Sequence, residues 1–313
     1  MSKRVYLNKR EGRFKEFAVI AVILLVVVVA LLLVAGLLFS GNDGEGRSYA
    51  DFGEVFVPSR KTSGRVADLP SDEDIRAIWA CIVTSPYVRS NPQYETVLRN
   101  TTVCYDEGDG EINAYANSEE RNQVRRPIVR VLGGFVRYAF CCGCARASDR
   151  LGVTTNALTC MLRDMKDSSR RALDESQHAV GAAKSCTEVR EEARRIAAGM
   201  LMAVLAHEAG HLAYGHVQHD VAFIKSNIDV VRNEERDADS FASSVMTSSA
   251  YGRYMFESFA LYHWFFAQFD EPEKAADLDH PLHKERLENL IRANERLARE
   301  MGLSLSNSGE EEK

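Results

Sequence analysis

The chain has 313 residues, 45% hydrophobic and 27% charged, with only 20 Gly and 7 Pro, which excludes collagen-like, low-complexity and wholly disordered classes. A formal net charge of −6 offers no broad basic surface to follow phosphates, so no nucleic-acid partner is expected. The length suffices for one or two domains with a real core.

Charge is unevenly spread. Residues 1–16 carry Lys3, Arg4, Lys9, Arg10, Arg13 and Lys15 against Glu11 and Glu16. Phe17 to Phe39 then runs without a charged side chain. As a helix rising about 1.5 Å per residue, this run is long enough to cross a hydrocarbon core of about 30 Å. A cleaved signal peptide would have a shorter apolar run, about 7–15 residues, and a small-x-small site. This one ends Leu37-Leu38-Phe39-Ser40, so the expectation is an uncleaved, single-pass anchor over 17–39. Basic residues precede it, while Asp43, Glu45, Asp51 and Glu54 follow. The positive-inside rule then keeps the tail 1–16 in the cytoplasm and carries residues 40–313 to the periplasmic or extracellular side. Residues 40–70, with Gly41, Gly44, Gly46, Pro58, Gly64 and Pro70, read as a linker.

Ser71-Asp72-Glu73-Asp74 reads as a helix start, with Ser71 as N-cap and Ile75, Ile78, Trp79 and Ile82 on the apolar face. A second helix is expected near Tyr94–Leu98. Strands are expected over Thr101–Tyr105 and Ile112–Ala116, separated by the turn-rich Asp106–Gly110. A third, Ile128–Tyr138, is interrupted by Gly133-Gly134, and its far end reads equally well as helix. From Asn156 onward the pattern is helical. Ile196–Leu205 (IAAGMLMAVL) is too short to span a membrane and reads as a buried core helix. A last helix over 281–301 carries Leu282, Leu287, Leu290 and Ile291 on one face, and residues 302–313 read as a disordered acidic tail. The expected class is therefore α+β: a transmembrane helix, then a small β-sheet packed on a mostly helical domain over 71–301.

All seven cysteines (Cys81, Cys104, Cys141, Cys142, Cys144, Cys160 and Cys186) lie beyond the anchor, in a compartment where disulfides persist. An odd number leaves at least one thiol unpaired or paired between molecules. Cys141-Cys142-Gly143-Cys144 has no second close pair with which to build a four-cysteine zinc site, so structural disulfides are expected.

The residues that carry chemistry are His207-Glu208-Ala209-Gly210-His211, an H-E-x-x-H motif. Helical residues four apart share a face, so both imidazoles can hold one Zn²⁺ per chain. Glu208 beside them can act as base toward an activated water. A third protein ligand is needed, and Glu235 and Asp239, also four apart, supply a pair of carboxylates on one helix face. Glu235 is expected on the metal, with Asp239 accepting a hydrogen bond from a ligand histidine. Glu234 shares its next turn with Ala238, which offers no polar partner, and is expected to face solvent. His216 and His219 are read as structural because the ion is already saturated, and His178, His263 and His283 have no supporting spacing.

His-Glu-Ala-Gly-His-Leu-Ala-Tyr-Gly-His (207–216), followed by Glu235-x-x-Ala-Asp239, resembles the gluzincin zinc metallopeptidases of the HtpX and CAAX-prenyl-endopeptidase family. Ile112-Asn113-Ala114-Tyr115-Ala116 resembles that family's Asn-Ala-Phe-Ala strand, which implies that Asn113, Ala114 and Tyr115 pair with substrate backbone. His280-Pro281 with Arg286 resembles its late His-Pro-x-x-x-x-Arg motif. That implies a transition-state role for His280 and support from Arg286. The resemblance implies a zincin-like domain. It departs from the family pattern where Asn117-Ser118-Glu119-Glu120 replace a glycine-rich turn, and where an apparent insertion over about 141–195 separates sheet from motif helix. With one anchor rather than several spans, the chain more closely resembles the family's single-anchor or exported branch. The expected activity is a membrane-anchored zinc endopeptidase acting on proteins or peptides. The alternative is a non-proteolytic, zinc-stabilised membrane scaffold or chaperone-like assembly factor, for which Glu208 would have no use as a base.

Overall fold

The computed structural model describes residues 69–121, 124–154, 156–167, 186–216, 223, 226–271 and 280–301. The basic tail, the apolar run 17–39, nearly all of the linker, residues 168–185 with His178, His219 and the tail 302–313 lie outside them. The chain divides into two compact units, 1–45 with 298–304, and 46–297 with 305–313. All described elements but the last lie wholly within the second unit.

Helix α1 (Asp72–Val83) begins as its sequence dictates. Ser71 Oγ accepts the Asp74 N–H at 3.2 Å while Asp74 Oδ2 accepts the Ser71 N–H at 2.7 Å, a capping box that satisfies two end groups. Its Ile75, Ile78, Trp79 and Ile82 are buried. Short helices α2 (Pro86–Arg89) and α3 (Pro92–Arg99) each open on a proline behind a capping Ser85 or Asn91. The expected helix at 94–98 is the body of α3.

Strands β1 (Thr102–Asp106), β2 (Ala114–Arg121) and β3 (Val124–Leu132) form one sheet in the order β1-β3-β2. β3 runs parallel to β1 and antiparallel to β2. Flanked on both sides, β3 buries Val129 and Val131 completely, while β2 has one free edge. β2 starts two residues later than expected and runs straight through Asn117–Glu120, which pair with Ile128 to Arg125 rather than forming a turn. Glu119 forms an ion pair with Arg130 across the ladder, so a polar stretch is held as strand by its cross-strand partners.

The ambiguous end of the third strand is helical. Leu132 N–H still bonds Asn113 O at 3.1 Å, then Gly134 N–H turns to Asp109 O at 2.8 Å, and α4 (Gly133–Arg150) follows without a linker. Next come α5 (Ala157–Asp167), α6 (Thr187–Tyr214), α7 (Ile228–Ser248), α8 (Gly252–Ala267), α9 (His283–Ala293) and α10 (Glu295–Glu300). The single last helix expected over 281–301 is broken at Asn294, whose side-chain amide donates to Leu290 O and Ser243 Oγ.

Helix α6 is the axis of the fold, packed against α4, α7, α8, α1, α3 and β2. Among the described residues it is the one helix long and apolar enough to cross a membrane, yet 89% of its apolar window is buried inside the protein. A helix apolar all round is a core helix when other helices surround it. Leu201 and Leu205 are wholly buried, each contributing about 1.5–3 kcal/mol of transfer free energy. The molecule is mostly helical with a small three-stranded sheet, as expected for α+β.

The expected disulfides are absent: no disulfide joins any of the seven cysteines, all of which lie among the described residues. On α4 Cys142 stands one residue from Cys141 and two from Cys144, spacings that turn its side chain away from both, and all three are buried as small core groups. Burial pushes the Cys142 thiol up, the opposite of a reactive cysteine. The other four are spread over α1, β1, α5 and the residue before α6. Residues 141–150 complete α4 and 187–195 open α6, so the segment expected as an insertion contributes core helix at both ends.

Candidate metal centre

The last two turns of α6 carry His207, Glu208 and His211, and one face of α7 carries Glu235 and Asp239. The two helices lie close together at Gly210, a residue without a side chain inside the motif. A Cβ there would lie 2.9 Å from both Ala238 Cα and Phe241 Cβ. The missing side chain lets the α7 carboxylates reach the imidazoles.

His207 Nε2 and His211 Nε2 lie 3.2 Å apart, and Glu235 Oε2 and Oε1 lie 3.4 and 3.3 Å from them respectively. All three residues can offer donors to one metal ion. Four ligands held tetrahedrally at about 2.0–2.1 Å stand about 3.3 Å apart, so these separations suit a small tetrahedral ion. Two bare imidazole nitrogens this close repel unless a positive particle sits between them.

Partners further out fix the candidate ligands. Asp239 Oδ1 accepts a hydrogen bond from His207 Nδ1 at 2.9 Å, which leaves His207 Nε2 free to face the other donors. Arg286, buried on α9, donates from Nε and Nη2 to the two Asp239 oxygens at 2.9 and 2.7 Å. Its Nη1 lies 3.5 Å from Glu235. Burial opposes ionisation of Asp239, but Arg286 and His207 outweigh it and hold the carboxyl well below its ordinary value. Burial likewise opposes charge on Glu235, and hydrogen bonds from His207 and His211 hold it low. In the metal-free protein, burial works against a charged His207, yet Asp239 and Glu235 raise it to about 10.

Glu208 is buried, and its Oε2 accepts the Ala116 N–H of β2 at 2.6 Å. Burial raises its carboxyl, partly offset by His207 and His211. A cleft of about 550 Å³ opens on the cluster. Asn113, Ala114 and Tyr115 line it, as do His280 and Arg286, so every site residue expected from sequence comes together around one space except Asp239, which supports from behind. Glu234 departs from expectation: it also lines the cleft rather than turning wholly to solvent. His280 Nδ1 is 3.0 Å from Pro281 O; a carbonyl can only accept, so Nδ1 carries the proton and a neutral His280 presents a bare Nε2.

Sequence spacing missed three residues at the site. Tyr262 lines the cleft, its hydroxyl proton held more tightly because the half-buried side chain is shielded from water. His283 lines it too, its Nδ1 3.1 Å from His263 Nδ1 on α8. Burial and Arg286 lower His283 to about 3, so the two imidazoles share one neutral hydrogen bond. His216 stands 3.1 Å from His211 through their Nδ1 atoms. Only for His216 did a local signal exist, in the Gly215-His216 pair that follows the motif.

A family model described as Peptidase U49 matches residues 154–303, slightly less than half of the chain. The matched stretch contains His207, Glu208, His211, Glu235, Asp239, His280 and Arg286, and leaves out the sheet. No curated protein and no solved structure matches the chain. The match supports a peptidase without singling out the HtpX and CAAX-prenyl-endopeptidase family, with proteins as the substrates that activity implies.

Proposed function

We propose that the protein is a zinc endopeptidase, related in mechanism to the gluzincins that its motifs resemble and tethered to the membrane by residues 17–39. The observation that carries this reading is the convergence of His207, His211 and Glu235 within tetrahedral ligand spacing, with Glu208 buried beside them. His207, His211 and Glu235 would hold the ion. When bound, zinc supplies Lewis acidity and a water whose pKa falls toward about 7.

The chain's own residues do the rest. Glu208 takes the proton of the attacking water and passes it to the leaving amine. Its raised pKa favours carrying a proton for that interval. The Ala116 N–H holds one carboxylate oxygen, so the other is aimed without loss of side-chain entropy during the reaction. Asp239, locked by Arg286, keeps His207 in the tautomer a ligand needs. His280 can donate to a developing oxyanion from Nε2 in its charged form, since Nδ1 is committed to Pro281.

The test compares purified wild-type protein with Glu208→Gln for zinc content and for hydrolysis of casein or a peptide library. The expected variant keeps about one zinc and loses about 10²–10⁴-fold in rate, the usual cost of removing a general base. Substantial residual hydrolysis would remove Glu208 from the chemistry. A zinc-loaded wild type that cleaves nothing would favour the scaffold alternative.

A further inference from the structure

We propose that His216 is a positioning residue for the metal site, holding His211 in the tautomer that ligation requires, and that Gly215 is the turn that delivers it. This rests on the zinc reading above. A nitrogen that binds a metal must be unprotonated, so a ligating His211, whose Nε2 faces His207 and Glu235, carries its proton on Nδ1. That N–H needs an acceptor. His207 has the Asp239 carboxylate in this role, while His211 has His216 Nδ1 at 3.1 Å. His216 must then be the Nε2–H tautomer, offering a lone pair at Nδ1.

The backbone explains how residue 216 reaches residue 211. On a continuing helix, five residues correspond to about 500° of rotation, leaving the two side chains about 140° apart. The helix does not continue. Gly215 takes φ +74°, the left-handed conformation that favours glycine, and its N–H bonds Leu212 O at 3.2 Å. The His216 N–H returns to His211 O at 2.9 Å, closing a Schellman-type cap. The chain reverses, and the two rings meet with centroids 5.2 Å apart at 68°. One cap thus ends the motif helix and brings an acceptor to the second ligand, and Gly215 has room for a Cβ, so its role is conformational.

A neutral imidazole is a weaker acceptor than a carboxylate, so the expected effect of its loss lies at the low end of the 10–100-fold range for such partners. The experiment measures zinc affinity of the full chain in detergent by competition with a chelating dye. His216→Leu should bind zinc about tenfold more weakly. His216→Asn, whose Oδ1 can replace the Nδ1 lone pair, should recover most of the loss. Zinc bound as tightly by His216→Leu as by wild type overturns the proposal, and so does equal weakening in both variants. If the leucine variant does not fold, ¹⁵N spectra of histidine-labelled, zinc-loaded wild type decide. His211 protonated at Nδ1 and His216 at Nε2 support the assignment, and a proton on His216 Nδ1 refutes it. A wild type that takes up no zinc fails the metallopeptidase reading itself, which separates that failure from this one.

Discussion

Glu234 and Glu235 differ by about 100° around α7, and both reach the cleft, yet only Glu235 meets the two imidazoles. Glu235→Gln should therefore lose most of the zinc and all activity, because an amide is a poor ligand and leaves two imidazoles without a counter-charge. Glu234→Gln should keep full zinc stoichiometry. Asp239→Asn should weaken zinc binding by about 10–100-fold through His207. Metal analysis of the three variants decides, and a zinc-free Glu234 variant would reverse the assignment. The same residues set a pH dependence. Asp239 and Glu235 raise metal-free His207 to about 10, so below that pH a proton occupies the position a metal must take. Zinc affinity should rise about tenfold per pH unit from pH 7 and level off as pH nears 10. Titration in zinc buffers measures this, and a flat profile from pH 7 to 9 would contradict it.

At the scale of elements, the site depends on how closely α7 lies against the end of α6. Gly210 sets that separation, since a Cβ would stand 2.9 Å from Ala238 Cα and Phe241 Cβ. Gly210→Val should push the helices apart. Overpacking of this kind costs about 1–3 kcal/mol, set against less than about 1 kcal/mol of better helix propensity. Chemical denaturation should show the net loss, and zinc affinity should fall with it because Glu235 moves with α7. Unchanged affinity in a folded variant would mean that the carboxylates reach the imidazoles independently of helix spacing. The sheet contributes by a different route: β2 is an edge strand, and its Ala116 N–H, not committed to β3, is spent on Glu208.

For the whole molecule, the proposed membrane anchoring rests on residues 1–54, and cysteines that form no disulfide add nothing to the choice of compartment. The orientation proposed for that anchor comes from the basic residues before the apolar run and the acidic ones after it. Protease added outside intact cells or spheroplasts should digest the 40–313 domain. Cleavage seen only after lysis would reverse the orientation. Among the described residues the one helix long and apolar enough to cross a membrane, α6, is enclosed by α4, α7 and α8.

What the sequence determined by itself is what repeats at helical spacing or caps a helix. His207 with His211 and Glu235 with Asp239 are each one turn apart, so their shared faces follow from 3.6 residues per turn without any tertiary knowledge. Ser71 with Asp74 set the start of α1 in the same local way. The tertiary structure decided whatever depends on two distant segments meeting. The Arg286 fork on Asp239 spans 47 residues, the Ala116 bond to Glu208 spans 92, and the His263–His283 pair joins α8 to α9. Asn117–Glu120 became strand because β3 lies beside them, and Cys141, Cys142 and Cys144 became core because α4 lies against α6. A polar or sulfur-bearing stretch carries no mark of which neighbour will satisfy it. Hydrogen bonds and burial are assigned by the packing of whole elements, and that packing is not periodic in the chain.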